Sequence, residues 1–402
     1  MEIQDPLEVW TGRCPELRRS PYAAYAELHR QRAVHVVTPA GSDVPVWYVI
    51  GYREARQALT DPRLVRDVTA LPAGGRPVEP LAALGLHRSM LAVDPPEHTR
   101  MRKLISAAFT PRRVEGLRPR IEAVAAALLD ELADRDSAEL IDAFAFPLPV
   151  AIICELLGIP AADQSVFRGW ICDLFGETED EADASAAGRA LSTYLAALVA
   201  AKRTDPDDAL ISALITARDA HGQLTEAELL STVTLLLIAG HETTVNLIAS
   251  ATVALLKHPD QLATLRSDPA VIGAAVEELL RFDGPTEMAV VRWATVELTL
   301  GGVRIPAGAA VMVVLGAANH DPGYVSHPDR LELWRGSAAH LAFGHGAHYC
   351  LGAPLARLEA QVALRALFDR FPRLRLAVAA DQLRVGPSQS LRSIRSVPLR
   401  LT

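Results

Sequence analysis

The sequence predicts a mainly α-helical fold with small β-sheets, and three observations carry that reading. Helical apolar character runs unbroken from the cap at Thr225 to Lys257, where His258-Pro259 ends it. The stretch from Arg112 to Ala220 is Ala- and Leu-rich and helical in pattern. Period-two β patterns are confined to short segments outside that block.

Taken in chain order, Val34-His35-Val36-Val37 and Val46-Trp47-Tyr48-Val49-Ile50 read as strands, the second ended by Gly51. From Tyr52 to about Leu59 the pattern is helical, and Asp61-Pro62 breaks it. Thr69 to Gly85, rich in Pro, Gly and Ala, reads as a loop. In the helical middle the breaks fall at Phe146-Pro147, Gly158-Ile159-Pro160 and Asp205-Pro206. Thr225-Glu226-Ala227-Glu228 is a capping box, in which the Thr side chain and the Glu three residues on satisfy each other's backbone N–H groups. About 32 residues at about 1.5 Å each then give a helix about 48 Å long. Asp268-Pro269 starts another helix, with aspartate as cap and proline at the first position. Glu297 to Leu300 and Ala310 to Val314 read as strands. The β-rich parts are thus 30–60, 290–315 and C-terminal strands, and the helical core is 90–285 with 352–370. No Ser/Gly linker or internal repeat divides the chain, so residues 1–402 are expected to form one domain.

With 50% hydrophobic and 22% charged residues the chain is globular, with apolar material enough to enclose a large cofactor. Met1 to Trp10 lacks the basic-then-apolar order of a signal peptide, and no apolar run reads as a membrane anchor. Four unclustered cysteines fit a reducing compartment, so a cytoplasmic monomer is expected. A net charge of −8 with a pI near 5.9 disfavours nucleic acid as partner. Local charge differs: Arg100, Arg102, Lys103, Arg112 and Arg113 form a basic cluster, and Arg357 lies seven residues after Cys350. A solvated basic face is the plain alternative.

The segment Phe343-Gly344-His345-Gly346-Ala347-His348-Tyr349-Cys350-Leu351-Gly352 sets one cysteine among three glycines just before a helical pattern resumes. Glycine adopts positive φ freely, so the backbone is expected to fold tightly around a buried sulfur. With no partner cysteine at zinc-finger spacing, a thiolate there suits one axial metal bond. Cys14, Cys154 and Cys172 read as ordinary core residues. A zinc site from His340, His345, His348 and Cys350 is a competing reading that lacks the usual paired spacing.

This loop resembles the haem-binding signature of the cytochrome P-450 family, Phe-x-x-Gly-x-x-x-Cys-x-Gly, and fills every fixed position of it with Phe343, Gly346, Cys350 and Gly352, Gly344 standing at a variable position beside Phe343. The resemblance extends from about Pro21 to the C-terminus. It implies the P-450 fold, a triangular helical prism around a buried haem b (iron protoporphyrin IX), with Cys350 as axial iron ligand. Within the long helix, Ala239-Gly240-His241-Glu242-Thr243-Thr244 breaks helical and burial preferences. It resembles the family's acid-alcohol motif, which implies that Gly240 admits close approach of haem and oxygen while Glu242 and Thr243 relay protons. The plain alternative has Thr243 bonding back to the preceding turn and Glu242 facing solvent. The zinc-protease pattern His-Glu-x-x-His is excluded because its second histidine would be Val245.

Glu278 and Arg281, three apart on one helix face, resemble the family's Glu-x-x-Arg pair, whose third member would be Arg335. Leu331 and Glu332 stand where Phe and Asp are common. The resemblance also implies His98, Arg102, Arg292 and His348 as partners of the haem propionates. It implies a ferredoxin-type electron donor on the basic face, and dioxygen and a hydrophobic small molecule as substrates. The pocket would be lined by the loop from Thr69 to Met90, by Leu237 and Ile238, by Met288, Ala289 and Val290, and by Leu391. Peroxide-driven turnover, or a haem carrier or gas sensor without turnover, are the alternatives; the intact Glu242-Thr243 pair argues against the first.

Overall fold

The structure, a computed structural model, describes residues 5–11, 17, 20–71, 86, 88–164, 166–167, 169–170, 181–220, 223–336, 339–386, 388 and 390–402. Cys14, Cys172 and most of the expected substrate-covering loop lie outside the described residues. The chain divides into two compact units. The first comprises Met1–Pro77, Ser250–Cys350 and Ala380–Arg395, and the second Val78–Ala249, Leu351–Ala379 and Ser396–Thr402.

The first unit is built on a five-stranded sheet in the order Val34–Val37, Val46–Val49, Ala310–Val313, Arg292–Ala294, Leu64–Val65. Valine is the commonest residue in these strands because its branched side chain packs well on a pleated, half-buried surface. Trp47 sits opposite Val36 in the antiparallel pair and beside Val311 in the parallel one. Helix Tyr52–Thr60 buries Tyr52, Ala55, Ala58 and Leu59, a stripe at three- and four-residue spacing that packs in one core with Val49, Val311 and Val313. After Asp268, whose side chain accepts from Ala270 N–H at 2.9 Å, the chain makes a single 3₁₀ turn and then helix Ile272–Asp283. Leu298–Leu300 and Val303–Ile305 pair as a separate hairpin.

In the second unit, helix Arg118–Asp130 packs on helix Ala353–Arg370. The former buries Ile121, Ala125 and Leu129, each one turn from the next. Helix Pro147–Leu157 stops at Gly158, which takes φ of 78° as only glycine does at low cost. The C-terminal strands form a small sheet in the order Ser137–Glu139, Pro398–Arg400, Arg375–Leu376.

The long helix spans Glu226–Lys257, 32 residues, as its pattern predicts. Its capping box is made: Thr225 N–H donates to Glu228 Oε2 at 2.8 Å, and Glu228 N–H to Thr225 Oγ1 at 3.2 Å. By length and composition this helix is apolar enough to cross a membrane, which the sequence reading did not credit. Yet 72% of its most apolar stretch is buried within the protein, as in a core helix.

Candidate active site

Two glycines shape the cysteine loop. Gly344 and Gly346 take φ of 73° and 77°, and the turn is closed by Cys350 N–H donating to Phe343 O at 2.9 Å. At Gly346 an added Cβ would also lie 2.8 Å from Thr60 Cγ2 and 3.0 Å from Leu59 O, so a larger residue would push the loop off helix Tyr52–Thr60. Gly352 differs from expectation: at φ −79° it sits in ordinary space and precedes helix Ala353–Arg370. Cys350 is exposed on the polypeptide rather than buried, and its own N–H serves the turn. Cys154 behaves oppositely: it is fully buried, and desolvation pushes its thiol up to about 12, which keeps it protonated and inert.

The zinc reading is overturned. His340 Nε2 lies 3.2 Å from Glu277 and its Nδ1 accepts from Ala342 N–H at 3.2 Å, while His345 Nε2 lies 3.4 Å from Arg56 Nε. Among the described residues no group of three His, Cys, Asp or Glu side chains is placed to hold a metal ion.

In the same unit the structure brings Glu278, Arg281 and Arg335 together. Arg281 grips both carboxylate oxygens of Glu278, Nε to Oε2 at 2.8 Å and Nη2 to Oε1 at 2.9 Å. Arg335 Nε reaches Oε1 at 3.0 Å. All three side chains are 7% exposed or less, so this is no solvated surface pair. The spare N–H groups of the two arginines are taken by the carbonyls of Asn319, Ser326, His327, Pro328 and Arg330, which fixes the meander before the cysteine loop. Arg292 is buried on its strand, with Nη1 and Nη2 3.3 Å from the carbonyls of Leu64 and Leu59. His348 is half-buried in the loop itself.

In the second unit His98 and Arg102 lie one turn apart on helix Glu97–Ser106, the first buried and the second half-buried. Lys103, Arg112 and Arg113 are exposed on that unit and Arg357 half-buried. Arg100 is not available cationic surface, because Glu228 and the Gln223 carbonyl take its guanidinium.

The long helix opens at one place. Ala239 is exposed and Gly240 and Thr243 are half-exposed, although Leu235 to Ile238 before them and Thr244 to Ser250 after them are buried. A helix that is apolar on most faces and bares a small-residue patch at mid-length leaves room there for an apolar group. Thr243 Oγ1 donates to Ala239 O at 3.2 Å, so the back-bond of the plain alternative is made, which leaves the hydroxyl oxygen able to accept. Glu242 Oε1 accepts from Asn246 Nδ2 at 3.1 Å. Gly240 also has a packing reason: an added Cβ would meet Ile153 Cδ1 at 2.7 Å. His241 is buried with Phe146 edge-on at 5.8 Å, and desolvation lowers it to about 4, so it is neutral, with Nδ1–H donating to Leu237 O at 2.7 Å.

Leu237 and Ile238, expected in the substrate pocket, are buried at 1% and 6% exposure; the open patch begins one residue later. Met288 is likewise buried, in a core cluster with Trp10, Tyr25 and Val314, whereas Ala289, Val290 and Leu391 are half-exposed.

Sequence reasoning missed Glu359. It lies on helix Ala353–Arg370 at 1% exposure, accepts a hydrogen bond from Thr244, and has no partner for Oε2 among the described residues. Burial holds its carboxyl well above the usual range. The folded protein therefore keeps this proton while the unfolded chain releases it above pH 4.5, so wild-type stability falls as pH rises through that window. Glu359→Gln has no such proton to retain. Its stability relative to wild type is expected to grow by about 1.4 kcal/mol per pH unit above 4.5 until the folded carboxyl ionises, read by denaturant titrations from pH 5 to 8. A difference that is flat with pH would mean that the buried carboxyl ionises normally.

In the first unit the exposed cysteine on its tight loop is the kind of thiolate donor that a haem-thiolate oxidoreductase requires, and in the second the open patch of the long helix carries an alcohol. The comparisons agree. The cytochrome P450 family model matches residues 174–377. The chain is 45% identical over 386 residues to cytochrome P450 monooxygenase PikC of Streptomyces venezuelae, covering 94% of this chain and 91% of the other. It is 43% identical over 390 residues to 6-deoxyerythronolide B hydroxylase of Saccharopolyspora erythraea, covering 94% and 96%. Among solved structures, myxobacterial cytochrome P450 CYP267B1 in complex with myristic acid superposes with a TM-score of 0.92 at 41% identity, covering 98% of this chain and 99% of that one. The chain belongs to the cytochrome P450 family and is a monooxygenase whose cofactor is haem b. It uses dioxygen, a small-molecule substrate and a redox partner. When bound, the haem supplies a thiolate-ligated iron at which dioxygen is activated.

Proposed function

We propose that this monooxygenase hydroxylates or epoxidises a hydrophobic secondary metabolite of polyketide, macrolide or terpenoid type. Its similarity over nearly its full length to a relative named for hydroxylating 6-deoxyerythronolide B carries that reading. Cys350 holds the iron. His98, Arg102, Arg292 and His348 serve the propionates, since burying two carboxylates requires cationic or hydrogen-bonding partners. The half-exposed Ala289, Val290 and Leu391 face the substrate with the loop up to Met90, and Met288 backs them from the core. Electrons come from a ferredoxin docking on Lys103, Arg112, Arg113 and Arg357, in a protein working as a cytoplasmic monomer with residues 1–402 as one catalytic domain.

Protons are handled on the long helix. Thr243 Oγ1, whose single proton rests on Ala239 O, accepts at the bared patch and donates there only by releasing that bond, and Glu242 resupplies it from the adjacent position. Thr243→Ala is expected to keep haem while product formed per electron consumed falls by about tenfold or more, the balance appearing as peroxide. Reduced-nicotinamide consumption measured beside product and peroxide checks this; unchanged coupling removes Thr243 from proton delivery. A screen of macrolactone, other polyketide and terpenoid scaffolds by shift of the Soret band tests the substrate class. Shifts confined to an unrelated class would redirect it. A carrier or gas sensor would give no product with reductase, ferredoxin and a shifting scaffold.

A further inference from the structure

In the first unit, beside Ala289 and Val290, stands a glutamate whose presence packing alone does not explain. Glu287 is 6% exposed, its Oε1 accepts from the Tyr25 hydroxyl, and its Oε2 has no hydrogen-bond partner among the described residues. A buried carboxyl with one oxygen left unmatched is less stable there than an apolar side chain of the same length. The fold makes room for it nonetheless: an added Cβ at Gly316 would lie 2.5 Å from Glu287 Oε1. Its donor is equally fixed. Tyr25 is 1% exposed on helix Tyr22–Gln31, its ring stacks on Trp10 with centroids 6.3 Å apart, and burial pushes its phenol well above the usual range, so the hydroxyl keeps its proton.

The backbone at Glu287 is irregular in a way that aims side chains. Glu287 N–H and Met288 N–H both donate to Ser390 O, at 2.9 and 3.3 Å, and Ala289 N–H then turns to Val313 O at 2.9 Å. Two consecutive amides on one carbonyl make the pattern of a β-bulge, two residues set against one. In an unbroken strand Glu287 and Met288 would point to opposite faces, whereas here both are buried, and Ala289 and Val290 are left half-exposed. The Ser390 side of the bulge has its own anchor: Arg392 N–H donates to Pro285 O at 2.8 Å, and Arg392 Nε to Asp283 Oδ1 at 2.6 Å. On the bulged side the Met288 bond is long, and the Tyr25 hydroxyl supplies a further hold.

We propose that Glu287 is a positioning residue for the substrate wall: gripped by Tyr25, its carboxyl pins the bulge at Glu287 and Met288 and so sets where Ala289 and Val290 stand. This rests on the reading that Ala289 and Val290 face the substrate. The pin is a hydrogen bond and not a volume. Glutamine keeps a carbonyl oxygen for the Tyr25 hydroxyl and substitutes for it, whereas leucine fills similar space without an acceptor and does not. Tyr25→Phe removes the same bond from the donor's side, so in the Glu287→Leu background it adds nothing further.

The holoenzyme is compared in wild type, Tyr25→Phe, Glu287→Leu, their double variant and Glu287→Gln by amide hydrogen exchange, and by Soret-shift titration with 4-phenylimidazole, a bulky iron-binding probe, beside the small probe imidazole. Tyr25→Phe and Glu287→Leu are each expected to lower protection at Met288 and Ala289 by about fivefold to tenfold, the value of one net hydrogen bond, and the double variant by no more. Strands Val34–Val37 and Val46–Val49 should keep their protection, which a general loss of stability would not allow. In the same three variants affinity for 4-phenylimidazole should change by about threefold or more with imidazole unmoved, while Glu287→Gln stays within about twofold of wild type in both readouts. Ala289→Trp fills the wall without touching the pin, and should weaken 4-phenylimidazole but not imidazole. Unaltered protection at Met288 and Ala289 in Tyr25→Phe and Glu287→Leu, or a Glu287→Gln protein as loose as Glu287→Leu, overturns the positioning role. Binding of 4-phenylimidazole unmoved by Ala289→Trp overturns instead the reading that this segment faces the substrate, and exchange alone then decides the pin.

Discussion

Cys350→Ala is expected to abolish substrate oxidation, to background in a reconstituted assay with reductase and ferredoxin, and to weaken haem retention on purification. The physical reason is electronic and positional at once. The thiolate is the donor that pushes electron density toward the iron and favours O–O cleavage, and no neighbouring side chain can replace it. His345 is engaged with Arg56 and His340 with Glu277, while His348 is half-buried in the turn before the cysteine. The loop itself should survive, because Gly344, Gly346 and the Cys350 N–H bond to Phe343 O set its shape without the sulfur. Cys154→Ala is the matched control. Its thiol is buried and fully protonated at neutral pH, so that variant should turn over like wild type. Activity retained in Cys350→Ala would remove the thiolate from the chemistry.

Glu278→Ala is expected to be the most destabilising single change outside the cysteine loop. It strips the shared carboxylate from two buried arginines. Removing one partner of a buried ion pair costs about 3–5 kcal/mol, because the remaining charge has no compensation. Here two guanidinium groups lose it at once, and the carbonyls of Ser326, His327, Pro328 and Arg330 lose the scaffold that gathers them. Thermal unfolding of the holoprotein and a urea midpoint should both fall, and Arg335→Ala should fall by less, since Arg281 keeps both bonds to Glu278. A Glu278→Ala protein within about 1 kcal/mol of wild type would show that the pair is dispensable.

Local signals carried the most in the sequence. The long helix was legible to its last residue because its capping box and its terminal His258-Pro259 are both written in short patterns. The Glu278 to Arg281 spacing announced an ion pair, but nothing in a period of three or seven points to Arg335, 54 residues further on. Strands of two or three residues, such as Leu64–Val65 and Arg375–Leu376, carry too little alternation to be read at all. The glycine pattern suggests a left-handed backbone at Gly352, whereas that residue takes an ordinary φ of −79° at the start of a helix. Glu359 was invisible for the opposite reason: a glutamate on an amphipathic helix is normally solvated, and only the fold reveals that it faces Thr244 in the interior.

The most direct measurement of the central claim is the absorption spectrum of the reduced carbon monoxide complex in wild type, Cys350→Ala and Cys154→Ala, purified alike. A thiolate opposite carbon monoxide shifts the Soret band strongly to the red. Wild type and Cys154→Ala should show that shifted band, and Cys350→Ala, reloaded with haem where needed, should not. A red-shifted band that persists in Cys350→Ala, or one missing from wild type, would contradict the assignment of Cys350 as the iron's ligand.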